Sequence, residues 1–153
     1  MGHGAECVRI LVLQPADRPL ALRDLLEPRG FEVHEASIAD GPAALRCAPH
    51  AAVLDLDVDA PAAVTLCTAW ATDVGRRLPL LGLSTRPLDP AGLSGAGVHG
   101  LQLPCAPIVL VSALCRLIAA SAMADGPGNR RLVRALGFRR GHPIVRARGR
   151  PGA

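Results

Sequence analysis

The sequence predicts an α/β protein, a three-layer α/β/α sandwich around a five-stranded parallel sheet. Three observations carry that expectation. Short apolar runs rich in β-branched residues alternate with segments whose leucines and alanines recur at helical spacing. The run beginning at Ala51 is apolar until it ends in acids, as a central strand covered on both faces should be. Parallel strands also need crossover connections, and the helical segments between the runs supply them.

Val8–Leu13 reads as the first strand, after which Leu20, Leu22, Leu25 and Leu26 keep helical spacing until Pro28, Arg29 and Gly30 stop them. Phe31–Ala36 reads as the second strand. Asp40–Cys47 follows as a short helix, with Asp40 as its cap and Pro42 in its first turn. Ala51–Leu56 is the third strand, and Pro61–Val74 returns to helical spacing. Pro79 introduces the fourth strand, Leu80–Leu83; Asp89–Ala96 is a helix weakened by Gly92 and Gly95. Gly100–Leu103 is the fifth strand, and Pro107–Met123 the last helix.

The chain has 153 residues, enough for one domain, here residues 1–124, with 125–153 as a basic C-terminal tail expected to be flexible. Half the residues are hydrophobic and 20% charged, which excludes disorder over most of the length. Aromatics are 2%, so a surface of stacked bases lacks its platform. Residues 1–124 hold nine arginines against twelve acids, net −3, whereas 125–153 hold eight arginines against Asp125 alone, net +7. No lysine occurs, which excludes any chemistry that requires one.

The five cysteines form no CxxC pair, and the histidines His3, His34, His50, His99 and His142 lie in different segments. No metal or other cofactor is expected. Without a basic start, apolar run and cleavage site at the amino terminus, the expected location is the cytoplasm. Cys105–Ala124 has the length of a bilayer span, but Arg116 near its middle costs about 2.5–3.5 kcal/mol on insertion scales. A helix half buried on the sheet is expected there, and no membrane.

The segment VLDLDVDAP places Asp55, Asp57 and Asp59 where the third strand leaves the sheet, and Ser84 occupies the matching place after the fourth. Sites in such folds form at the carboxyl ends of the strands. A hydroxyl beside Asp55 would suit phosphoryl transfer. A calcium loop starting at Asp55 fails, because Ala60 and Leu66 stand where a glycine and a glutamate are needed.

Residues 8 to 122 resemble the receiver domain of two-component response regulators, which has a flavodoxin-like, CheY-like topology. The resemblance rests on RILVL, LLEPRGFEV, GPAAL, PHAAVLDL, PLLGLS and LQLPC in that order and spacing. It implies that Asp55 occupies the phosphoacceptor position and Ser84 the switch hydroxyl. The chain departs from the pattern at four further positions. The acid pair that holds Mg²⁺ falls on Gln14 and Pro15, the lysine falls on Leu103, and the aromatic switch falls on Gly100. Asp17 is displaced onto the start of the first helix. A phosphoryl group on Asp55 would therefore lack the cation and the ammonium that offset anionic repulsion. The expectation is a degenerate pseudo-receiver: not an enzyme, independent of phosphorylation, and acting in signal transduction through protein contacts.

Three alternatives come from other chemistry. The first is a conventional receiver phosphorylated on Asp55. In the second, DLDVD resembles the nucleophile motif of haloacid-dehalogenase-like phosphatases, with Asp55 attacking phosphorus, Asp57 as acid and base, and Ser84 in the second motif. That family needs a later lysine and an acidic pair, whereas beyond residue 84 the chain offers only Asp89 and Asp125. The third is a nucleic-acid-binding regulator using the basic tail.

On the last helix Ile108, Val109, Leu110, Val111, Leu114, Leu117 and Ile118 cover more circumference than one sheet face needs. Val109, Leu110, Leu114 and Leu117 are the expected interface with a signalling protein or a second copy, and the resemblance implies a partner face on the fourth and fifth helices and fifth strand. In the tail, Arg130, Arg131, Arg134, Arg139 and Arg140 could touch phosphates or an acidic partner without reading sequence. No second apolar helix is present to form a helix-turn-helix.

Overall fold

A computed structural model describes residues 7–17 and 19–124. Five strands, β1 (Val8–Leu13), β2 (Phe31–Ala36), β3 (Ala51–Asp55), β4 (Leu80–Ser84) and β5 (Val98–Gln102), form one parallel sheet in the order β2-β1-β3-β4-β5. This is flavodoxin-like topology, and it puts β3 at the centre with its carboxyl end beside those of β1 and β4. The helices are α1 (Arg23–Leu26, continued by a 3₁₀ turn at Glu27–Arg29), α2 (Ala60–Val74), α3 (Pro90–Gly95) and α4 (Pro107–Ala124).

Alternation along the strands sorts the core onto two faces. Val8, Ile10, Val12, Val53, Leu81 and Leu83 pack against Leu22 and Leu26 of the α1 side and against Leu110, Val111, Leu114, Cys115 and Ile118 of α4. Leu11, Leu13, Leu54 and Leu80 face Leu45, Ala63, Cys67, Trp70 and Leu93 on the other side. The helix long and apolar enough to cross a membrane, Pro107–Ala124, is thus the one that covers the first face. Arg76, just past α2, donates to the carbonyl of Pro49 at 2.7 Å and lies 5.4 Å from the Trp70 ring, tying that end of α2 to the entry of β3.

Four expectations are corrected here. The segment after β2 is a 3₁₀ helix, Ile38–Leu45, and Ser37, not Asp40, caps it; the Asp40 carboxylate reaches back to the Ser37 N–H at 2.9 Å. Gly41, at φ 59° and ψ −145°, interrupts that helix, which an α-helix over the same residues could not accommodate. β5 begins at Val98, two residues before the expected start, because its pairing with Leu80 extends the strand into a segment with little apolar signal. Leu110 and Leu114 are 3% and 0% exposed, so these two proposed interface residues belong to the core. Val109, at 44%, faces outward, and Leu117 is half buried against the core.

The cysteines are unpaired; Cys67 and Cys115 are buried, with their thiols pushed up to about 12 and about 11 by burial, so neither is a nucleophile at neutral pH. The tail arginines 130, 131, 134, 139 and 140 lie outside the described residues.

Candidate functional site

Asp55 ends β3 and is 5% exposed. Its Oδ1 accepts the N–H of Asp57 at 2.9 Å, closing the turn that leaves the sheet. Its Oδ2 is enclosed and has no hydrogen-bond partner. Leaving a buried acceptor unsatisfied costs on the order of 1–3 kcal/mol, more when it is charged.

Asp57 points its carboxylate at β4. Its Oδ1 accepts from the Ser84 hydroxyl at 2.7 Å, and its Oδ2 accepts from the Thr85 N–H at 3.0 Å and the Thr85 hydroxyl at 2.7 Å. Ser84 Oγ in turn accepts the Arg86 N–H at 3.0 Å. These bonds, the Ser84 hydroxyl first among them, hold the Asp57 carboxyl down at about 2.

The hydroxyl expected beside Asp55 is thus bonded to Asp57 instead. Sheet register is the reason: Asp55 pairs with Leu83, the Leu56 N–H continues to the Leu83 carbonyl at 2.8 Å, and the turn then carries residue 57 over the end of β4.

A carboxyl depressed on folding stabilises the native state above its unfolded value and loses that contribution as pH falls towards about 2. Asp57 is partly solvated, which reduces its share to about 1 kcal/mol. Urea unfolding from about pH 5 to about pH 2 should show this loss in the native chain and not in Asp57→Asn. Equal acid sensitivity in the two would refute the assignment.

On the β1 side, the Gln14 amide is fully engaged. Its Oε1 accepts the Leu20 N–H at 2.7 Å, tethering the loop after β1, and its Nε2 donates to Glu35 at 3.2 Å. Glu35 also pairs with Arg23 at 3.1 Å. Pro15 offers no side-chain donor or acceptor, and Asp17 is exposed. Between this loop, Ser37, Ile38 and the start of α2 lies a cavity of about 260 Å³, whose wall includes Gln14, Asp55, Val58, Asp59 and Ala63.

The Mg²⁺ ion that the resemblance implies needs several oxygen ligands in near-octahedral array. Asp55 and Asp59 bring the only carboxylates to this cavity, and among the described residues no three His, Cys, Asp or Glu are grouped to hold a metal ion. The residues present do not fit that ion.

Leu103, at the lysine position, is half buried against the α1 and α4 core, and its N–H donates to the Ser84 carbonyl at 2.7 Å. Gly100, at the aromatic position, leaves no room for a side chain as packed: a Cβ there would lie 2.5 Å from Leu93 Cδ1 and 3.1 Å from Leu88 Cδ1. Sequence reasoning missed Gln14 as a loop tether and the pairing of Asp57 with Ser84 and Thr85. The Ser37-x-x-Asp40 spacing was a readable capping signal.

The architecture matches solved receiver domains. Chemotaxis protein CheY4 of Vibrio cholerae superposes with a TM-score of 0.61 at 18% identity, over 73% of this chain and 99% of that one. A response regulator from Thermotoga maritima gives 0.61 at 17% identity, over 74% and 99%. A response regulator receiver protein from Burkholderia phymatum gives 0.59 at 16% identity, over 73% and 95%. No family model and no curated protein matches the sequence. The chain has the CheY-like receiver fold, and at these identities the likeness is one of fold.

Proposed function

We propose that this chain is a receiver-type signalling domain whose output does not depend on phosphorylation of Asp55. One observation carries the reading: the Asp55 carboxylate is buried with one oxygen unpartnered, while the nearest switch hydroxyl is bonded to Asp57. Adding a phosphoryl group there would set a dianion beside Asp57 and Asp59, with no ion pair to Asp55 among the described residues to offset it.

A binding role, not catalysis, follows from this reading. Asp57, held at about 2, stays ionised at neutral pH and has no proton to give, which speaks against the phosphatase alternative. The partner we infer is a signalling protein or a second copy of the chain, meeting exposed Ile108 and Val109 at the start of α4. The basic tail is a solvated appendage able to touch phosphates; salt dependence of any nucleic-acid binding tests that role.

The direct test is incubation of the full chain with Mg²⁺ and acetyl phosphate, followed by intact-mass analysis. The expected result is no acid-labile adduct. A stoichiometric adduct on Asp55 would restore the conventional phosphoacceptor reading.

A further inference from the structure

We propose that the cavity beside Asp55 binds an organic cation bearing N–H donors, a guanidinium or primary ammonium group, in place of a hydrated divalent metal. The inference goes beyond the signalling reading and stands or falls separately from it.

Two carboxylates face one small space. Asp55 is buried, and its Oδ2 lacks any donor. Asp59 is exposed at the cavity rim and makes no hydrogen bond or ion pair among the described residues. Rotation of an aspartate carboxyl about χ2 is soft, so a donor inside the cavity can be met by the oxygen now left unsatisfied. Much of the remaining wall is apolar, with Leu13, Pro15, Ile38, Val58 and Ala63 around the carboxylates.

That combination discriminates between cations. A hydrated Mg²⁺ keeps its waters and asks for further oxygen ligands, whereas apolar walls reward a ligand with a flat or alkyl body. A guanidinium needs only acceptors in its plane and is weakly hydrated, so it loses less on entering. About 260 Å³ accommodates such a head group with a short alkyl stem.

The guanidinium could arrive on a free small molecule or on an arginine side chain, and the eight arginines of residues 125–153 are one source within the chain. Agmatine is the probe. Titrated into the full chain at constant ionic strength, it should raise the melting temperature and shift the amide signals of Val58 and Ala63, while MgCl₂ should do neither. Asp55→Asn should weaken agmatine about tenfold or more, because a charge-assisted bond is lost. Asp59→Asn, at an exposed position, should weaken it less and guards against a folding defect in the first variant. Equal affinity in a chain with Arg130, Arg131 and Arg134 changed to Gln supports an external ligand, and tighter binding there supports occupancy of the same cavity by the chain's own arginines. No binding, binding unaffected by Asp55→Asn, or an equal response to MgCl₂ overturns the proposal.

Discussion

Leu114→Ala lowers the free energy of unfolding by about 2–5 kcal/mol and leaves the assembly state in solution unchanged. Leu114 is fully buried in the middle of α4, among the strand residues of the first core face. Truncation removes apolar contacts and leaves a void that the surrounding strands, paired on both sides, cannot collapse to fill. Val109→Ala, at an exposed position one helical face away, should cost well under 1 kcal/mol by comparison. Urea unfolding together with sedimentation separates the two roles a leucine on this helix could have. A stability change below about 1 kcal/mol accompanied by altered association would return Leu114 to an interface.

Gly82→Val costs about 1–3 kcal/mol. In a strand interior valine ordinarily gains on glycine, since it loses less chain entropy and suits the pleat. Here the sign reverses. A Cβ on Gly82 would sit 2.5, 2.6 and 2.8 Å from Cδ1, Cγ and Cδ2 of Leu56, so the whole leucine side chain must leave its place. Leu56 is the residue between Asp55 and Asp57, and moving it drags the turn that presents Asp57 to Ser84 and Thr85. The variant should therefore also speed hydrogen exchange at the Thr85 amide, whose acceptor is Asp57 Oδ2. Unchanged stability and an unchanged Thr85 amide would show that Leu56 has room to yield.

Much of the architecture was legible in the chain because burial on both faces writes itself as uninterrupted apolar runs. The cores of β1, β3 and β4 carried that mark, and β1 and β2 fell where periodicity placed them. β5 is an edge strand with His99 and Gln102 exposed, so its start left little trace. The segment after β2 looked helical from Asp40 and Pro42, but a left-handed glycine in its midst favours the tighter 3₁₀ form. The site was legible as a cluster and illegible as a network. Alternating acids announced that carboxylates gather at one strand end; which of them meets the hydroxyl depends on a turn whose path no residue type dictates. Burial on α4 was misread for a related reason, since a helix apolar around most of its circumference does not declare which side the sheet will take.

Gly100 has a consequence for how the two ends of this sheet can talk. With Leu93 and Leu88 filling the space beside β5, the edge carries a fixed aliphatic plug and no swinging ring. A partner resting on that edge meets one contour, whatever happens at Asp55. Information reaching it must come from who is bound and how much of it there is, in the manner of an adaptor and not of a relay.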